Sequence, residues 1–245
     1  MRRGERSWLV AFVAGLLWYF AAPSSAASGL TENGTFEGRI AYNADGNHND
    51  PDDWASSPVA LAIFAESGLK HRVVHFSYNC ILPKTDPEWE TVHEEGVLGA
   101  AKHYGYDRSI LYNCREDLDG TVASITRAID ESSAENPLYF IVAGPMQVPV
   151  MGILKSDPGK RKYVYCISHS FWNDGYARKY TYTHTKRDVI ATGVNWVQVP
   201  SQRLLQTSAY GRKPYDQEWA PFHWMRDSKD PSPLSLGEAN GLDSA

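Results

Sequence analysis

Short apolar runs rich in β-branched and aromatic residues alternate with longer stretches of helical periodicity along this chain, and no other feature limits its fold as severely. Runs of strand character cover Arg39 to Ala44, Arg72 to Tyr78, Ser109 to Cys114, Leu138 to Ala143, Tyr163 to Ile167 and Val194 to Val199. Between the first two, Trp54 to Ser67 sets Val59, Ala62, Ile63 and Glu66 at helical spacing, and Gly68 follows as a stop. Thr121 to Ser132 repeats the pattern with Val122, Ile125 and Ile129 on one stripe. Strands separated by helices pair through right-handed crossovers, which predicts an α/β fold: a mainly parallel sheet flanked by helices, Rossmann-like. Ligands of such sheets bind beyond the carboxyl ends of the strands.

The two ends of the chain read differently from its middle. Arg2 and Arg3 precede an apolar run from Trp8 to Ala22, followed by Pro23-Ser24-Ser25-Ala26-Ala27, the pattern of a secretory signal peptide over 1–27. The run is shorter than the roughly 20 apolar residues of a spanning helix, so the expectation is a secreted or periplasmic protein with no stable membrane insertion after cleavage. Residues 28–226 are then long enough for one α/β domain with a sizeable core. Past Val199 the pattern weakens, although Trp219-Ala220-Pro221-Phe222-His223-Trp224 is strongly aromatic; residues 227–245 turn to Ser, Pro, Gly and charge and are expected to be disordered. A net charge of -5 from mixed signs, with no basic stripe, argues against nucleic acid as a partner. The three cysteines, Cys80, Cys114 and Cys166, carry no zinc or redox spacing; they suit small buried hydrophobes, or one disulfide in an oxidising compartment.

Between the first strand and the first helix lies Asp45-Gly46-Asn47-His48-Asn49-Asp50-Pro51-Asp52-Asp53, four carboxylates and two amides in nine residues. Carboxylates this crowded repel one another unless they share a cation or a proton, and hard cations such as Ca²⁺ favour such ligands. An EF-hand loop would align Asp45, Asn47, Asn49 and Asp53, but Asp50 stands where the turn glycine belongs, Ser56 replaces the bidentate glutamate, and a strand enters in place of a helix. Asp52 and Asp53 could also serve simply as helix caps.

Asn49-Asp50-Pro51-Asp52-Asp53, followed by an apolar helix, resembles the aspartate-rich loop that closes with a paired Asp-Asp in the nucleoside hydrolase family and its secreted relatives. Ile141-Val142-Ala143-Gly144-Pro145-Met146-Gln147 resembles that family's strand and Gly-Pro turn, and Ser170-Phe171-Trp172-Asn173-Asp174 is similar to its Asn, aromatic and Asp segment. The likeness spans Arg39 to Ala177. It implies a calcium ion held by Asp52, Asp53, a re-registered Asp45 and a backbone carbonyl at Gln147, with sugar contacts at Asn173 and Asp174. The family's aspartates seven and five residues before the end of the pair, the latter its general base, are replaced here by Gly46 and His48. Its further aspartate and histidine near the C-terminus have no clear counterpart beyond His223 and Asp243.

Cleavage of a glycosidic bond passes through an oxocarbenium-like state, so a catalyst must deliver water and grip the sugar hydroxyls. Asp45 or His48 is the candidate base, and Asn49, Asn79, His169, Asn173 and Asp174 are the candidate substrate contacts, with Asn113 a further rim residue. An Asn after a strand is also ordinary turn chemistry, His75 inside a strand suits packing or pairing, and His103 and His184 suit the surface. Two function classes follow: a secreted metal-dependent hydrolase of N-glycosidic, nucleoside-like or related sugar bonds, or a catalytically reduced calcium-dependent protein that binds a carbohydrate or ribose-like ligand. The partner in either case is a small nucleoside or carbohydrate.

Overall fold

The computed structural model of the chain describes residues 36–46, 51–82, 87–175 and 184–199, with the backbone alone at 51 and 52. The signal-peptide segment, His48, Asn49, the aromatic run 219–224, His223, Asp243 and the expected disordered tail lie outside the described residues. The strands and helices all belong to the unit that begins at Gly38.

Six strands, β1 (Arg39–Ala44), β2 (Val73–Tyr78), β3 (Leu111–Asn113), β4 (Leu138–Ala143), β5 (Val164–Ser168) and β6 (Asn195–Gln198), form one sheet in the order β3-β2-β1-β4-β5-β6. Every pairing is parallel. The helices are α1 (Pro51–Glu66), α2 (Pro87–Tyr104), α3 (Leu118–Asp130), α4 (Gln147–Lys155), the single turn α5 (Phe171–Asp174) and α6 (Lys186–Ala191). This is an α/β, Rossmann-like arrangement. The chain winds outward from β1 to β3, then crosses to β4 on the other side of β1 and winds outward again. The direction of winding therefore reverses between β1 and β4, and the crevice beyond their carboxyl ends is where such sheets bind ligands.

β1 is buried along its whole length, as a central parallel strand covered on both faces must be. Its polar side chains are partly matched to partners: Arg39 donates to Glu131, to the Ala128 carbonyl and to Ser132, while Asn43 donates to Ser77 and Cys80, both at 2.9 Å; Arg39 Nε and Asn43 Oδ1 have no hydrogen-bond partner among the described residues. Pro51 opens α1, where its missing N–H is no loss. Gly68, at φ 74°, closes it: Gly68 N donates to the Ala65 carbonyl and Leu69 N to the Phe64 carbonyl, the paired bonds of a left-handed C-terminal cap. The buried arc of α1 differs from the expected stripe. Ala55, Ser57, Leu61, Ala62 and Phe64 are buried, Val59 and Ile63 are half-buried, and Glu66 is exposed. The arc is rotated because α1 packs at once on β1, through Tyr42 and Phe64, and on α2, through Ser57 and His93.

On the other face α3 buries Val122, Ile125 and Ile129, as its periodicity predicted. Asp117 caps it by accepting from Gly120 N at 2.8 Å. Gly152 lets α4 cross closely, since a Cβ there would lie 2.4 Å from Ile125 Cγ2. The main core gathers on this face, with Phe140, Val142, Val148, Ile153, Val164 and Cys166 among its members. β3 is shorter than its apolar run because Ser109 belongs to a 3-10 turn fixed by Asp107, whose carboxylate accepts from Ser109 N.

Candidate functional site

Asp45 is the residue with which β1 leaves the sheet, and its N–H still reaches the Ala143 carbonyl of β4 at 3.3 Å. Gly144 continues β4 directly beside it. A Cβ at Gly144 would stand 2.9 Å from both Asp45 N and Asp45 Cβ, so only glycine allows the two strand ends to close on each other. Asp45 is 2% exposed, with one carboxylate oxygen accepting from Gly46 N at 3.0 Å.

Asp53 approaches from α1. The helix begins at Pro51, so Asp52 and Asp53 stand second and third in its first turn, inside the helix and not at the capping position that was their alternative role. A carboxylate there is favoured by the positive end of the helix dipole. Tyr42, three residues before Asp45 and buried, feels the charge of both acids. Its phenol is pushed up to about 12, first by burial and then by the charges of Asp45 and Asp53, against a lowering hydrogen bond from Ser56. Asp45, at the end of β1, and Asp53, in the first turn of α1, thus both act electrostatically on Tyr42 beside the reversal point of the sheet.

Gly46, next to Asp45, lies against a buried group that the sequence does not single out. His93, on α2, is fully buried and joins Asn79 through Nδ1 at 2.8 Å and Ser57 through Nε2 at 2.7 Å. Asn79 Nδ2 is committed as a donor to the Glu90 carbonyl and, at 3.4 Å, to Asn113. Its Oδ1 must therefore accept, which puts the imidazole proton on Nδ1 and leaves Nε2 to accept from Ser57. Burial depresses the His93 pKa to about 3, so it is neutral at physiological pH. Gly46, at φ 67°, lies against this pair; a Cβ there would be 2.2 Å from His93 Nδ1. Asn79 itself is 2% exposed with φ 58°, and its polar atoms are directed at this clamp.

A second polar group gathers at the end of β5. Ser168 donates to Asp174 at 3.2 Å, and Lys186 stands 3.6 Å from the other Asp174 oxygen while also donating to Gln198 and lying 5.0 Å over the Trp196 ring. Burial raises the Asp174 pKa, with Lys186, Ser168 and His169 opposing. Asn173 is buried and its Oδ1 has no hydrogen-bond partner among the described residues. His169, Phe171 and Trp172 are exposed beside it. Gln147 begins α4, and its side-chain oxygen accepts from His184 N at 3.2 Å. Asp45, Asp53 and Asn79 thus gather at the ends of β1 and β2, and His169, Asn173 and Asp174 at the end of β5. β4 stands between, so the two groups are about 10 Å apart across the sheet.

Cys80 and Cys114, just beyond the ends of β2 and β3, form a disulfide, and Cys166 is free and buried. Among the described residues no three His, Cys, Asp or Glu side chains are grouped as metal ligands would be. Also among them, no helix is long and apolar enough to cross a membrane.

The chain is similar to an uncharacterized protein P22 of Formosa agariphila: 29% identical over 202 residues, 79% of this chain and 70% of that protein. No protein family and no solved structure matches the chain.

Proposed function

We propose that the chain is a secreted, metal-dependent hydrolase of N-glycosidic, nucleoside-like or related sugar bonds. The observation that carries this reading is the placing of two carboxylates, buried Asp45 at the end of β1 and Asp53 in the first turn of α1, at the reversal point between β1 and β4. Their oxygen donors suit a hard cation such as Ca²⁺, with Asp52 and the Gln147 carbonyl as the further ligands the family resemblance implies. A bound Ca²⁺ would grip a vicinal diol and make its water more acidic. Asp45 or His48 would accept that water's proton, while Asn49 and, from the β5 side, Asn173, Asp174 and His169 would hold the sugar and leaving group. Export is supported by the N-terminal sequence and by a disulfide of the kind that persists in oxidising compartments.

The binding-protein reading has one observation in its favour. Gly46 stands where the resembled family has a metal-holding aspartate, and no side chain fits there against His93. A site without that carboxylate would retain the ligand grip more readily than the proton transfer.

The test is hydrolysis of nucleosides and aryl ribosides with and without Ca²⁺, alongside thermal unfolding of the parent, Asp45→Asn, Asp53→Asn and His48→Ala. Calcium in hundredfold excess over Kd adds about 2.7 kcal/mol to the stability of the parent. Asp53→Asn removes most of that gain. Asp45→Asn lowers turnover about 10²- to 10⁴-fold and, as Asp45 is also placed as a calcium ligand, takes part of the calcium stabilisation with it. Absent hydrolysis with calcium stabilisation intact selects the binder, and an unchanged Tm after chelation and readdition of calcium removes the metal from both readings.

A further inference from the structure

The peptide unit that joins Ala44 to Asp45 is held from two sides. Its N–H, that of Asp45, donates to the Ala143 carbonyl of β4 at 3.3 Å, and its carbonyl, that of Ala44, accepts from Cys80 N at 3.2 Å. The first holder is a central strand. The second is not part of a strand at all: β2 ends at Tyr78, and residues 79–82 take no regular structure. The chain reaches Cys80 through Asn79 at φ 58°, the single left-handed residue other than glycine among the described residues. A residue with a Cβ keeps that conformation only where its surroundings enforce it. Two restraints do so here. One is the side chain of Asn79, bonded to His93, the Glu90 carbonyl and Asn113. The other is the disulfide from Cys80 to Cys114, whose own N–H is fastened to the Tyr78 carbonyl at 2.9 Å, and Asn43 of β1 donates to the Cys80 sulfur. Only the disulfide depends on the redox state of the surroundings.

We infer that the Cys80–Cys114 disulfide is a redox latch on Asp45. Oxidation draws Cys80 onto the Ala44 carbonyl and fixes the Asp45 peptide; the reduced chain forms the rest of the sheet and leaves that peptide held by β4 alone. The step is thiol–disulfide exchange: the Cys80 and Cys114 thiols give up their protons and two electrons to a disulfide oxidant, which leaves as two thiols. Both cysteines are buried once the chain has folded, so the finished bond is shielded from attacking thiolates and the latch closes once. Asp45 is then set only in an oxidising compartment. The consequence for catalysis rests on the role proposed for Asp45, whereas the placing of its peptide can be measured without calcium or substrate.

Amide hydrogen exchange of the oxidised parent and of the double variant Cys80→Ser, Cys114→Ser, both as the full chain, tests this. A disulfide that acts only by restricting the unfolded chain would quicken all globally protected amides by one common factor, those of Phe140 on β4 and Cys166 on β5 included. The latch adds a local opening, so Asp45 and Cys80 quicken by about tenfold or more beyond Phe140 and Cys166. A common factor for all four overturns the inference. If the variant does not fold, the reduced parent is refolded with oxidised glutathione and pulse-labelled: Phe140 and Cys166 gain protection before the bond forms, and Asp45 and Cys80 gain it with the bond. Protection of Asp45 and Cys80 ahead of the bond overturns the latch, and so does protection of all four in one step with it.

Discussion

At Gly46 two demands meet that only glycine satisfies, a left-handed backbone and the absence of a Cβ against His93. A left-handed non-glycine residue costs about 1–3 kcal/mol, and forcing a methyl into a packed contact costs about 1–3 kcal/mol more. Gly46→Ala is therefore expected to destabilise the fold by about 2–6 kcal/mol in chemical denaturation. His93→Ala in the same chain should recover the steric part, so the double variant is less destabilised than the sum of the singles; additivity would show that the ring is not the obstacle. The sequence displays Gly46 as one more loop residue beside the acidic cluster. What makes it indispensable sits 47 positions away on another helix. Asp45 was legible because a carboxylate after a strand advertises itself, whereas His93 lies in a polar stretch, and its partners Ser57 and Asn79 come from α1 and the end of β2.

The legibility of each element follows the kind of burial it has. β1 and β4 coincide with their apolar runs because both are central and carry side chains into cores. α2 passes unread since its buried positions are His93, Val97, Ala100 and Ala101, a face built of small residues and one paired imidazole with little hydrophobic periodicity. α4 is hidden for another reason: Pro149 and Gly152 stand inside nine residues that read as the tail of a turn, yet Gly152 is what brings α4 onto Ile125. Between β2 and β3 the sequence offered either buried thiols or a disulfide, and the structure links Cys80 to Cys114 across a separation of 34 residues. Closing a loop of that length restricts the unfolded chain by about 3–4 kcal/mol in the chain-entropy account. Cys80→Ala with Cys114→Ala is expected to lower stability by about that amount. The loss should fall on the ends of β2 and β3, where hydrogen exchange at Asn79 and Asn113 would quicken first. Exchange quickening instead around Cys166 on β5 would contradict that assignment.

Across the whole molecule two buried histidines fasten the sheet to both helical layers. His75 joins β2 to α3 through Ser124 and to its own strand through Ser77, each at 2.9 Å, while stacking on Tyr112; His93 joins α2 to α1. Burial depresses both pKa values to about 3, from an ordinary value of 6.5. The sign of the linkage follows. Between those limits the unfolded chain binds protons that the folded chain does not, so stability is full above pH 6.5 and falls as the pH drops toward 3. Each histidine contributes a slope of about 1.4 kcal/mol per pH unit once the pH is well below 6.5. Asp188, whose carboxyl is held low chiefly by the Thr185 backbone N–H, loses its contribution only near the ordinary carboxylate range. From pH 6.5 to 5 the two buried imidazoles therefore carry the loss of stability, and Asp174, whose carboxyl burial raises, can only oppose it. Denaturant titrations across that interval should show stability falling with pH, and His75→Gln should remove about half of the slope while lowering the plateau above pH 7. A slope that survives this substitution undiminished would mean that His75 is not held neutral in the folded state. Because the two rings lie on opposite faces of the sheet, their protonation strikes both layers together, and acid unfolding should be one cooperative transition by near-UV and far-UV circular dichroism alike.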